Sequence, residues 1–426
     1  VNPLGRAWEA LPATVRSVAT VASGDGVSKL LAFVGTAVIV GLASPEQMGT
    51  ITIFITLQTI LLQLTDLGLG VALVKHTAGS ARPPGFERTV LTARALLVAA
   101  VGLPALLAGP WLAAHAVGRP IFAEPLRYAA LAIVGGGLMA FATSYLQARR
   151  RFLALSLVRI GEGASRLGLL LALVVVLGFS VPGVLWIQVL APLAVGLVGV
   201  ALVPRGALAR GGGRTELREL FDLSRWILAA TIVHMFAFQL DTLLLGAFST
   251  PAEVGSYGAA LRLSSPLVML AGVLGTVFLP EAMRHRETAG ARRFFLRSLR
   301  LTVPLGILGL AAALACGLLL PRLFPQYARL LPVFALLSAG LASYAMVAAG
   351  QGVLYALDRT ALVAGVAAGQ FLVNLAGNLL LVPRFGALGA AVTTGSAWVL
   401  SALAYATLVL WLTRPAGPPP AGAQAA

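Results

Sequence analysis

Apolar residues along this chain do not alternate. They come in long runs, mostly Leu, Ala and Val, separated by short clusters of arginine, proline and glycine. A helix needs about 20 predominantly apolar residues to cross the hydrocarbon of a bilayer. The runs predict about twelve such helices: 20–43, 48–74, 89–110, 125–148, 155–179, 182–203, 223–248, 254–281, 296–320, 330–357, 360–382 and 387–412. The fold class that follows is all-α, a polytopic membrane protein. The first run holds Asp25 and Lys29 and lacks a small-residue cleavage pattern, so it reads as a retained helix and not as a signal peptide.

Composition sharpens this picture. Of 426 residues, 58% are hydrophobic and 11% charged, whereas soluble domains are about 25% charged. One cysteine, Cys316, excludes an internal disulfide and a cysteine-based metal cluster. The four histidines are scattered without metal-ligand spacing, there is no GxxxxGK[ST] phosphate loop, and no loop is long enough for a soluble catalytic domain. No metal, cofactor or ATPase activity is expected.

A net charge of +16 could point to nucleic acid, but its placement argues otherwise. The basic excess collects in alternate short segments: Lys75, Arg82 and Arg88; Arg149, Arg150 and Arg151; Arg205, Arg210, Arg214 and Arg218; Arg284, Arg286, Arg292, Arg293 and Arg297. The intervening segments hold only Arg119, Arg322, Arg329 and Arg384. Such asymmetry marks cytoplasmic loops. It predicts both termini inside and no nucleic-acid partner.

The two halves echo one another at an offset of 206 residues. Ser44-Pro45-Glu46-Gln47-Met48-Gly49 matches Thr250-Pro251-Ala252-Glu253-Val254-Gly255, Arg94 matches Arg300, and Phe179 and Gly183 match Phe385 and Gly389. Six spans per half make these parallel repeats, related by an axis along the membrane normal. The expected organisation is an N-terminal six-helix bundle (1–203), a cytoplasmic linker (204–222), a C-terminal six-helix bundle (223–412) and a disordered tail (413–426). Two such bundles around a central cavity are transporter architecture.

These motifs carry a resemblance. Ser44 to Gly49 followed by Thr65-Asp66-Leu67-Gly68-Leu69, the run Leu240-Asp241-Thr242-Leu243-Leu244-Leu245-Gly246, Glu253 to Tyr257, and Asn374 to Asn378 with Leu381 to Ala391 are similar to the multidrug/oligosaccharidyl-lipid/polysaccharide exporter superfamily. Within it the chain resembles the O-antigen (Wzx-type) polysaccharide flippases. The resemblance covers essentially the whole chain. It implies a flippase, not an enzyme, that moves an undecaprenyl-pyrophosphate-linked oligosaccharide across the bacterial inner membrane, among membrane lipids and beside glycan polymerase machinery.

Charges inside spans are the candidate site, because each costs about 2.5–3.5 kcal/mol at mid-bilayer. Arg94, Arg127, Arg159, Arg225 and Arg300 lie near span ends, where a long side chain can reach the headgroups. Arg166 lies about 16 Å into its span and Lys29 about 13 Å. Glu162 and Arg166 are i,i+4, either one polar cavity face or a structural salt bridge, and at an offset of 208 they correspond to Gln370 and Asn374. A pyrophosphate dianion suits guanidinium forks. Lys29, Arg166 and Arg262 are therefore expected to supply cations, with Arg94 and Arg300 assisting and Glu162, Gln370 and Asn374 lining the cavity. Asp25, Asp66 and Asp241 are expected as coupling-ion sites or as counter-ions to neighbouring arginines. His234 reads as an interior residue.

Three rivals are set against this reading. A multidrug/cation antiporter wants a carboxylate-lined cavity, which the basic excess opposes. A MurJ-type lipid II flippase carries two further C-terminal spans. A membrane polymerase or ligase needs a large outside loop, and none is present.

Overall fold

The computed structural model describes residues 13–66, 68–78, 85–116, 118–209, 238–285, 287–327 and 330–414. Among them there are helices and turns but no strand. Among the described residues nine helices are long and apolar enough to cross a membrane, or ten if one bent pair is a single span. The sequence pattern predicts about twelve. Of the other two, residues 152–176 form a full-length helix that carries Arg159, Glu162 and Arg166, and for the run at 223–248 only the helix Phe238–Phe248 is described. Most of the expected linker, Arg225, His234 and the tail from 415 lie outside the described residues.

The chain divides into two compact units, Val1–Gly255 and Ser256–Ala426. The first holds α1 (Ala13–Leu42), α2 (Pro45–Asp66), α3 (Leu69–Ala78), α4 (Phe86–Leu107), α5 (Ala123–Ala148), α6 (Phe152–Val176), α7 (Val181–Ala201) and α8 (Phe238–Phe248). α5 is its hub and packs against α2, α3, α4 and α7, while α1 packs along α6. Small residues permit these approaches. A Cβ on Gly135 of α5 would collide with the backbone of Leu193 in α7, and one on Gly24 of α1 would meet Ser156 of α6. In a bilayer no hydrophobic drive joins two helices, so close backbone packing at small residues supplies much of the contact energy.

The second unit holds α10 (Ser265–Ala282), α11 (Thr288–Gly317), α12 (Leu330–Leu341), α13 (Tyr344–Ala356), α14 (Thr360–Phe385) and α15 (Ala387–Leu412), preceded by α9 (Pro251–Leu263), which begins in the first unit. α9 and α10 meet at 43°. The break is pinned where buried Ser264 shares a 3.0 Å hydrogen bond with Ser338 of α12. The pairing seen between α5 and α7 has its echo here, where Gly340 of α12 abuts Gly395 of α15.

The repeated sequence motif has a local physical reading. Ser44 caps α2: its hydroxyl accepts from the Gln47 amide (3.3 Å), and the Gln47 carboxamide accepts from the Ser44 amide (2.8 Å), a reciprocal capping box. Thr250 accepts from the Glu253 amide at 3.4 Å in the same role at α9. Pro45 and Pro251 occupy the first helical positions, where no amide donor is needed. Gly49 and Gly255 then let these two helix starts cross. A Cβ on Gly49 would strike the Pro251 carbonyl oxygen, and one on Gly255 would strike the Pro45 carbonyl oxygen. The contact is reciprocal.

Gly49→Ala and Gly255→Ala are each expected to destabilise the protein by about 1–3 kcal/mol through overpacking against backbone that has no rotamer to yield. Thermal unfolding in detergent should show both drop, while Gly365→Ala, at a position open to space, stays level or rises.

Candidate functional site

Two charged clusters form within the first unit, and each joins residues distant in sequence. In the first, α1 and α6 run parallel, with Gly24 beside Ser156 and Ser28 beside Gly163. This register sets Asp25 against Arg159, whose guanidinium donates to the Asp25 carboxylate. One turn further along, Glu162 pairs with Arg166 at 2.6 Å. Lys29 stands exposed on α1, one residue beyond the Ser28–Gly163 contact, and makes no ion pair among the described residues. The stripe thus carries Lys29, Arg159 and Arg166 against Asp25 and Glu162, an excess of cation. Its paired members are half-buried rather than sealed: side-chain exposure is 32% for Arg166 and 17% for Glu162. Arg166 lies ten residues from the nearer end of α6, about 15 Å, so a guanidinium at that depth needs water or an anion beside it.

The second cluster is drier. Arg94 of α4 is 2% exposed and donates to Asp66 at the end of α2. Its Nε and Nη1 face no acceptor among the described residues. Glu87, in the first turn of α4 and buried, pairs with Arg149 at 3.4 Å, and Arg149 also lies 5.6 Å above the Tyr145 ring. The reading of Arg94 and Arg159 as side chains that snorkel to headgroups is therefore corrected. Both turn into the bundle because a carboxylate on the adjoining helix lies at matching depth, and pairing there replaces hydration at less cost than stretching to the interface.

The remaining predicted residues are apart from these clusters. Asp241 is buried in α8, in the first unit. In the second unit Arg262 of α9 folds back onto the Gly258 carbonyl at 2.9 Å. Asn374 and Asn378 are buried in α14, where the Asn378 side-chain Nδ2 donates to the Asn374 backbone carbonyl (2.9 Å) and to its side-chain oxygen (3.1 Å), with Gln370 one turn away on the same helix. Arg300 is exposed on α11. Sequence reasoning passed over Glu87 and Arg149, which sit where a span meets a loop, and it missed the Asp25–Arg159 and Asp66–Arg94 partnerships. Depth matching was the available signal: Asp25 and Arg159 lie five and four residues into their expected spans, and Asp66 and Arg94 lie eight and five residues from the span ends that one loop joins.

Residues 38–316 match the family described as "Polysaccharide biosynthesis protein". No protein of curated function matches by sequence. Among solved structures the chain is similar to the lipid II flippase MurJ in an inward closed conformation (13% identity, TM-score 0.73, covering 93% of this chain and 87% of that one). It is also similar to an inward-facing multidrug resistance MATE family transporter of the MOP superfamily (13%, 0.72, 92% and 96%) and to the eukaryotic MATE transporter AtDTX14 (16%, 0.58, 95% and 96%). The fold is that of these transporters.

Asp66→Asn is expected to cost about 3 kcal/mol, toward the lower end for a broken buried pair because Asp66 is 37% exposed. Asp66→Asn/Arg94→Leu should recover most of that loss. Unfolding temperatures of the single and double variants read out the coupling, and equal destabilisation by both would deny it.

Proposed function

The chain belongs to the polysaccharide biosynthesis protein family, and from that premise we propose that it is a flippase for an undecaprenyl-pyrophosphate-linked oligosaccharide. It carries this substrate from the cytoplasmic to the periplasmic leaflet of the bacterial inner membrane, with both termini cytoplasmic. No bond is made or broken in such a step. Sugars and pyrophosphate cannot cross hydrocarbon unaided, whereas a polyprenyl tail is at home there. The protein's task is then a hydrated, cationic path for the headgroup, opened alternately to each side.

The observation that carries this reading is the α1–α6 stripe. Three cations and two carboxylates lie along it, and its deepest guanidinium, Arg166, is a third exposed with Glu162 as its ion-pair partner. Lys29 and Arg166 bind the pyrophosphate oxygens by charge-assisted hydrogen bonds, Glu162 and Asp25 hold Arg166 and Arg159 in position, and Arg262 adds a cation from α9. Gln370 and Asn374 offer amides suited to sugar hydroxyls. Asp66, paired with Arg94, serves as a counter-ion, and Asp241 remains the candidate coupling carboxylate. An organic-cation exporter would need the opposite charge balance.

The test is a charge swap. Arg166→Glu is expected to reduce translocation of lipid-linked sugar in proteoliposomes at least tenfold with normal membrane insertion. Glu162→Arg/Arg166→Glu restores the ion pair without restoring the cation at position 166, and it should stay impaired. Full recovery of transport by the swapped pair would reduce Glu162–Arg166 to a structural bridge and remove the main support for the cationic path.

A further inference from the structure

α11 is two helices in one by composition. Its first half is basic, with Arg292, Arg293, Arg297 and Arg300. The next twenty residues, Leu301 to Leu320, carry no charge at all, and twenty residues of helix span about 30 Å, the thickness of the hydrocarbon core. Arg300 is therefore the last charge before hydrocarbon, at the level of lipid phosphates.

The two faces of the basic half differ. Ala291, Phe294, Phe295, Ser298 and Thr302 are buried against the unit, and Arg292 is half-buried and donates to the Thr413 carbonyl at 3.4 Å. Arg293, Arg297 and Arg300 follow at i, i+4 and i+7 on the opposite, exposed face. Among the described residues none of the three has an ion-pair partner. The ladder covers about 10 Å and leads into an open groove of about 450 Å³, lined by Leu296, Leu299, Arg300, Val303 and Pro304.

The internal repeat offers an independent comparison. Arg94, the counterpart of Arg300, is buried against Asp66. The position 206 beyond Asp66 is Gly272, which has open space around its missing Cβ. One half of the protein uses its arginine to close a bundle, and the other keeps the arginine while dispensing with the carboxylate.

We propose that this ladder and groove form a loading site for an isoprenyl pyrophosphate in the cytoplasmic leaflet. The pyrophosphate lies across Arg297 and Arg300 with Arg293 above it, and the first isoprene units lie in the groove against Leu299, Val303 and Pro304. Three guanidiniums without a carboxylate match a group carrying two or more negative charges better than the single charge of a bilayer phospholipid, and the guanidinium fork matches phosphate oxygens. The site rests on the flippase reading and names where its substrate is first held.

The experiment measures binding and transport separately. Farnesyl pyrophosphate, farnesyl monophosphate and phosphatidylglycerol are titrated into the detergent-purified full chain, alongside Arg300→Ala, Arg300→Lys and Arg297→Ala/Arg300→Ala variants checked for unchanged unfolding temperature. Wild-type protein is expected to prefer the pyrophosphate over the monophosphate. Arg300→Ala should weaken it about tenfold, Arg300→Lys less, and the double variant should abolish the preference. In proteoliposomes Arg300→Ala should raise the KM for lipid-linked sugar and leave the maximal rate unchanged. Wild-type affinity in the double variant, or phosphatidylglycerol bound as tightly as farnesyl pyrophosphate, overturns the loading site and leaves the flippase reading intact. Arginine-dependent pyrophosphate binding by a wild-type protein that moves no lipid-linked sugar supports the site and instead overturns the transport reading.

Discussion

Hydrocarbon penalises an isolated charge by several kcal/mol, and the first unit answers that penalty by setting charged helices against one another. Arg159 meets Asp25, Arg94 meets Asp66 and Arg149 meets Glu87, each pair bridging two helices. A pair of this kind contributes little net stability once desolvation is counted, but separating its members is costly. The pairs therefore act as registers. They fix how far α1 slides along α6 and α4 along α2, because a shift of one turn would strand two charges at once.

Small residues make that registration possible. Pairing demands that helices approach closely enough for short carboxylates to reach guanidiniums, and Gly24, Gly135 and Gly163 remove the side chains that would hold them apart. The capped starts of α2 and α9 show the same economy, with a Ser or Thr cap, a proline at the first position and a glycine four residues later. Each of these residues serves either to begin a helix or to let it touch its repeat-related counterpart.

The two repeats have diverged in chemistry more than in packing. Helices that meet through glycine in the first unit have counterparts that do so in the second. Where the first unit carries Glu162 and Arg166, though, the second carries Gln370 and Asn374, and the position that matches Asp66 is Gly272. Such asymmetry suits the proposed substrate, which has a dense anion at one end and neutral sugars at the other.

The helical fold, the repeat and the identity of nearly every embedded charge were determined by the sequence alone. Long apolar runs dictate spanning helices whatever their neighbours, because backbone groups in lipid have no other partner. The i,i+4 pairing of Glu162 with Arg166 was equally legible, being set within one helix. Which arginines turn inward was decided only by tertiary structure. Arg94 and Arg300 occupy matching positions and look alike in sequence, yet one is sealed against Asp66 and the other stands exposed beside an apolar groove. The difference lies on a neighbouring helix, in a carboxylate present at 66 and absent at 272, and a charge follows the lowest electrostatic cost that its packed neighbours allow.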